Sequence, residues 1–162
     1  WDALLEEIPQ MKEVSNEHFD NWKDTENFAK NALNDSCEVT GIHGFWHKNI
    51  FEAVYCTNLL MRSCDVLVTK PSELAFYPVP KLFIRGVGKH EMWGAIHSAE
   101  VGDGTLECRD IPHTLQMIDL FMKEDDLLVS MCENIMKNKQ IGLYDGAYKV
   151  VEAAMNQKKQ DQ

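Results

Sequence analysis

Two short runs, Val-Leu-Val-Thr at 66–69 and Lys-Leu-Phe-Ile at 81–84, are each followed at once by proline, glycine, hydroxyl and charged residues. Continuous apolar runs of this length predict strands buried on both faces. The loops beyond their carboxyl ends, Lys70-Pro71-Ser72-Glu73 and 85–91, then lie where open α/β sheets bind their ligands.

The remaining pattern is read around these two strands. Apolar residues at Trp1, Leu4, Leu5, Ile8 and Met11 predict a helix over 1–11, and a second helix is expected over 24–33, capped by Asp24 or Thr25. Asn34-Asp35-Ser36 reads as a turn, 38–42 as a strand and 43–48 as a glycine-and-aromatic loop. Asn49 caps a helix to about residue 63, with Ile50, Phe51, Val54, Tyr55, Leu59 and Leu60 at helical spacing. The 65–69 strand is followed by at most two helical turns in 71–78, and the 81–84 strand by a helix over 89–100. Gly102-Asp103-Gly104 turns into a strand at 105–108, and three helices follow at 111–123, 125–137 and 145–155. Strand and helix therefore alternate, without an internal linker. The pattern predicts one α/β domain over 1–156, a parallel sheet with helices on both faces, and a polar tail at 157–162.

Composition limits the partners. The 162 residues carry 26 acidic against 16 basic side chains, a formal charge of −10, which argues against a nucleic-acid surface or a strongly anionic membrane. Small anionic ligands remain open, because a few basic side chains and backbone N–H groups suffice for them. Five cysteines, scattered and without a C-x-x-C pair, read as reduced core residues of a cytoplasmic protein. No segment has the length and apolarity of a membrane span, and no signal peptide is visible. Met117, Met122, Met131 and Met136 on the last helices read as core or partner-facing filler.

Four blocks in succession carry a family resemblance. Val39-Thr40-Gly41-Ile42 precedes His43-Gly44-Phe45-Trp46; Ser63-Cys64-Asp65 leads through a strand to Thr69-Lys70-Pro71-Ser72-Glu73-Leu74; Val79-Pro80-Lys81 opens a strand toward Lys89-His90-Glu91-Met92-Trp93-Gly94-Ala95; and a Gly-Asp-Gly turn precedes the last strand. Over residues 39–108 the chain resembles the C-terminal, nucleotide-sugar-binding domain of the GT-B glycosyltransferases, in the branch of the lipid II N-acetylglucosaminyltransferases and galactolipid synthases.

The resemblance implies a Rossmann-like fold and a nucleotide-diphosphate sugar as donor substrate, with no other cofactor. It implies hexosyl transfer once an N-terminal acceptor domain or an oligomer mate completes the protein. The ligand would be held by Gly44, Phe45 and Trp46 at the base, by Lys70, Ser72 and Glu73, and by Gly88, His90 and Glu91 at the sugar and phosphates. The family's ribose-binding glutamate falls here on Tyr77-Pro78, with Glu73 able to serve only from a shifted position, and its sugar-binding glutamine is replaced by Glu91. Its glycine-rich phosphate loop has no counterpart in this chain. A non-catalytic binding or interaction module that lost the ribose glutamate is the alternative.

The same residues have plainer readings. Phe45 and Trp46 would also serve to cover a sheet edge. Pro-Ser-Glu is a common helix start, and Glu91 suits a helix N-terminus. His43 and His47, four apart, would share a helix face and ligate zinc with His90, His97 or Glu91. Gly44 between them argues for a loop, and no H-E-x-x-H is present, so no metal is expected.

Overall fold

Strands of three or four residues make up the regular sheet in the computed structural model, which describes residues 1–14, 16–34 and 37–160. They form two separate parallel ladders of two strands each. Helices account for 61% of the structure. The expected Rossmann-like sheet with helices on both faces is therefore not formed. At about 3.3 Å per residue such strands span only about 10–13 Å, and most of the apolar material lies on helices. The chain forms two compact units, Trp1–Cys64 and Asp65–Gln162.

In the first unit, α1 (Asp2–Glu7) and a 3-10 turn (Pro9–Glu13) precede β1 (Asn16–Phe19), α2 (Trp22–Ala32), β2 (Ile42–Phe45) and α3 (Ile50–Leu60). β1 and β2 run parallel with Phe19 opposite Phe45, so α2 is a crossover between them. The two phenyl rings stack at 5.0 Å and 10°, and Phe28 of α2 meets Phe45 edge-on, also at 5.0 Å. This aromatic packing places a strand where Asn-Glu-His-Phe shows no apolar alternation, and it moves the second strand from the expected 38–42 to 42–45. Asn21, rather than Asp24 or Thr25, caps α2 by accepting from Asp24 N at 3.0 Å. Asn49 caps α3 as expected, accepting from Phe51 N at 2.9 Å. The buried side of α3 is nevertheless the Cys56 side, while Ile50, Phe51, Val54 and Tyr55 are exposed. The turn expected at 34–36 falls largely outside the described residues.

In the second unit, β3 (Leu67–Thr69) pairs in parallel with β4 (Lys81–Phe83). A third extended segment lies along β4: Lys81 bridges to Gly104, Thr105 N donates to Lys81 O at 2.9 Å and Cys108 N to Phe83 O at 2.8 Å. It makes a bridge in place of the strand expected at 105–108. All three β4 residues are buried. Leu82 packs with Cys108, Phe121 of α5 (Ile111–Lys123) and Met131 of α6 (Asp125–Gln140). Phe83 packs with Ala75 and with Ala95 of α4 (Met92–Val101). Single 3-10 turns at Glu73–Phe76 and Lys89–Glu91 shape the loops after β3 and β4, and α7 (Gly146–Gln160) ends the described chain. Of the cysteines, only Cys56 and Cys108 are buried, whereas Cys37, Cys64 and Cys132 are exposed. Scattered apolar neighbours in sequence did not amount to burial.

Candidate functional site

The loops that follow β3 and β4 meet at Glu91. Its Oε1 accepts from Lys70 Nζ at 2.8 Å, and its Oε2 accepts from the backbone N–H groups of Val87 at 2.6 Å and Gly88 at 3.1 Å. Glu91 N in turn donates to Gly88 O at 3.0 Å, closing a reciprocal cap on the turn that runs into α4. The carboxyl is held at about 2, down from 4.5, by Lys70 first and then by the Gly88 and Val87 N–H groups. The glycines make this close wrap possible. A Cβ on Gly86 would stand 3.0 Å from Glu91 Oε2, and one on Gly88 would stand 2.6 Å from the folded-back His90 ring.

Beside this knot lies a cavity of about 500 Å³, lined by Pro71, Ser72, Phe76, His90, Glu91, Trp93, Gly94 and His97. Its aromatic side is open: Trp93 is 68% and Phe76 61% exposed. Its polar groups come from Ser72 on the first loop, His90 and Glu91 on the second, and His97 on α4. An aromatic ring face with a few fixed polar groups suits a ligand that combines a flat or ring-shaped apolar surface with hydroxyl or phosphate groups.

A buried charge cluster starts from Lys81, the first residue of β4. Lys81, fully enclosed, donates to Tyr77 O at 2.7 Å and Val79 O at 3.0 Å and is ion-paired to Asp103 Oδ1 at 3.0 Å. Tyr144 donates its hydroxyl to Asp103 Oδ2 at 2.7 Å. Burial lowers the Lys81 pKa, with Asp103 opposing the shift. Tyr144 is pushed up to about 12 by burial and by its bond to Asp103. Nothing in the sequence pattern marked this cluster, because Tyr144 lies 41 residues from Asp103 and Lys81 reads as an ordinary strand residue.

A family described as a domain of unknown function, DUF6938, matches residues 1–155. The chain belongs to the DUF6938 family. No curated protein and no solved structure matches it. The DUF6938 match runs through both units, so the candidate sites of each belong to the family's domain.

Of the residues singled out in this DUF6938 chain, Ser72, His90 and Glu91 line one cavity, and Lys70 and Gly88 hold Glu91 at its edge. The Glu73 side chain lies outside the described residues. Gly44, Phe45 and Trp46 belong to the first unit. Phe45 stacks on Phe19, Trp46 stacks on His18 at 4.8 Å and 4°, and a Cβ on Gly44 would come within 2.5 Å of the Trp1 ring. There the glycine admits an indole of the chain itself.

The two candidate zinc histidines have separate surroundings. His43 Nε2 lies 2.9 Å from Thr40 O. His47, whose side chain is 1% exposed, places Nε2 3.0 Å from Cys56 Sγ and 3.3 Å from Thr25 Oγ1, with Glu52 Oε2 3.6 Å from Nδ1. This is a cysteine-histidine-glutamate line. Burial raises the Cys56 thiol pKa, which opposes thiolate formation and nucleophilic use. Among the described residues no group of three or more His, Cys, Asp and Glu is placed to hold a metal, and no helix is long and apolar enough to cross a membrane.

Proposed function

We propose that the second unit binds a nucleotide-diphosphate sugar in the cavity between the loops that follow β3 and β4. The observation that carries this reading is the convergence of Ser72 from one loop and His90 and Glu91 from the other on one cavity rimmed by Trp93 and Phe76. Ser72, His90, Glu91 and Trp93 belong to two of the four sequence blocks that resemble the nucleotide-sugar-binding glycosyltransferases.

Trp93 and Phe76 offer ring faces to a base or to the apolar face of a sugar. His90, Ser72 and the adjacent N-terminus of α4 suit phosphate and hydroxyl oxygens. Glu91 already accepts three hydrogen bonds, and a carboxylate has about four acceptor positions, so it has room for one ligand hydroxyl. In this reading the unit binds the donor in the cytoplasm, and glycosyl transfer requires an acceptor site and a base from another domain or another copy.

Thermal shift of the full chain with uridine, guanosine and adenosine diphosphates and their sugars tests the proposal. Ligand at a hundred times its Kd raises stability by about 2.7 kcal/mol. One nucleotide class should raise Tm, and Trp93→Ala or His90→Ala should abolish the rise while leaving the ligand-free Tm near wild type, since both side chains are exposed. Absence of a rise with every nucleotide rejects the reading.

A further inference from the structure

The chain has three arginines, and two of them, Arg85 and Arg109, line one cavity of about 570 Å³. Other residues than those of the cavity at Glu91 make up its walls. They come from the two stretches that leave β4 and the extended segment beside it. Ile84 and Arg85 follow Phe83, and Arg109 follows Cys108, whose N–H donates to Phe83 O at 2.8 Å. Gly86 N donates to Glu107 Oε1 at 3.0 Å and so ties the two stretches side by side. The volume falls within the range of about 300–1,000 Å³ usual for small-ligand sites.

The lining divides into two chemistries. Ile84, Ile111, Pro112 and Leu115 supply an apolar floor, on which Ile111 is 76% and Leu115 58% exposed. Both arginines are exposed, and among the described residues neither is ion-paired: the ion pairs of this unit fall on Lys70, Lys81, Lys123 and Lys137. The carboxylates on either side of Arg109 are engaged by backbone N–H groups. Glu107 holds Gly86, and Asp110, also on the lining, caps α5 by accepting from His113 N at 2.8 Å. That cap closes the α5 N-terminus to a ligand anion, so charge recognition falls to the two guanidinium groups. A guanidinium presents paired N–H donors that match a carboxylate or phosphate. The apolar floor beside it favours a ligand that also carries hydrocarbon.

We propose that this cavity binds a single-chain amphiphilic anion, its carboxylate or phosphate head on Arg85 and Arg109 and its hydrocarbon tail along Ile84, Ile111, Pro112 and Leu115. A free molecule rather than a membrane is the source, because a chain of formal charge −10 is repelled by an anionic lipid surface. The site stands apart from the nucleotide-sugar reading and does not rest on it.

The test is NMR titration of the full chain with decanoate, decyl phosphate, decanol and acetate below micellar concentrations, read at the amides of Arg85, Arg109 and Ile111. Decanoate or decyl phosphate should shift all three. Decanol, without the head charge, and acetate, without the tail, should bind about tenfold or more weakly. Arg85→Ala and Arg109→Ala should each weaken binding roughly tenfold to a hundredfold, as expected for loss of a charge-assisted hydrogen bond. Both side chains are exposed, so the ligand-free Tm should stay near wild type. Silence of the three amides toward both amphiphiles, decanol binding as tightly as the anions, or affinity unchanged in both folded variants overturns the site. Co-sedimentation with phosphatidylglycerol vesicles that the arginine variants abolish moves the site to a lipid surface and overturns it as proposed.

Discussion

Glu91 is where two loops are tied, and its low pKa makes that tie dependent on acid. A carboxyl at about 2 in the folded chain against 4.5 otherwise binds fewer protons folded than unfolded between those values. Its contribution is present above pH 4.5 and is lost as pH falls through about 2. Tm measured against pH should therefore fall less steeply across that window in Glu91→Gln than in wild type, and identical acid limbs would show that the tie does not persist in solution. Lys81 is a sterner case, since both it and Asp103 are buried. Lys81→Met leaves the Asp103 charge enclosed without its partner and should cost about 3–5 kcal/mol in urea unfolding. Replacing both partners by apolar residues of similar size should recover much of that loss, because desolvating the pair offsets its own attraction.

At the scale of elements, α4 is held at its carboxyl end by α6. Asn134 Nδ2 donates to Gly102 O at 3.2 Å and Asn138 Nδ2 to Val101 O at 2.9 Å. Gly102 itself sits at φ +76, and a Cβ there would reach within 2.4 Å of the Asn134 amide. Asn134→Ala should cost about 1 kcal/mol by chemical denaturation, whereas an unchanged midpoint would mean water replaces the amide. Such contacts explain how far the sequence could be read. Helix α5 matches the expected 111–123, because Asp110, Pro112 and a long apolar periodicity agree locally. β3 and β4 fall within the expected runs, and the loops after them do supply Ser72, His90 and Glu91 to one cavity. β1 escaped because its signal is aromatic stacking across a ladder. The buried side of α3 differed because spacing finds an apolar stripe without saying which neighbour covers it. Phe76, Trp93 and the Asp103–Tyr144 pair depend on tertiary closure, which no local pattern encodes.

At the scale of the molecule, the second unit carries its own core around β4, with Leu82 packed toward α5 and α6 and Phe83 toward α4. A fragment of residues 65–162 should fold cooperatively by itself, and Phe121→Ala within it should cost about 3–5 kcal/mol. A fragment lacking a sigmoidal denaturation curve would show that this core is insufficient. The uneven placement of indoles has a practical corollary. Of four tryptophans, Trp1, Trp22 and Trp46 lie in the first unit and Trp93 stands alone in the second. At 68% exposure on the rim of the cavity lined by Ser72, His90 and Glu91, Trp93 makes the intrinsic fluorescence of the second unit an optical reporter of that rim, with no extrinsic label required.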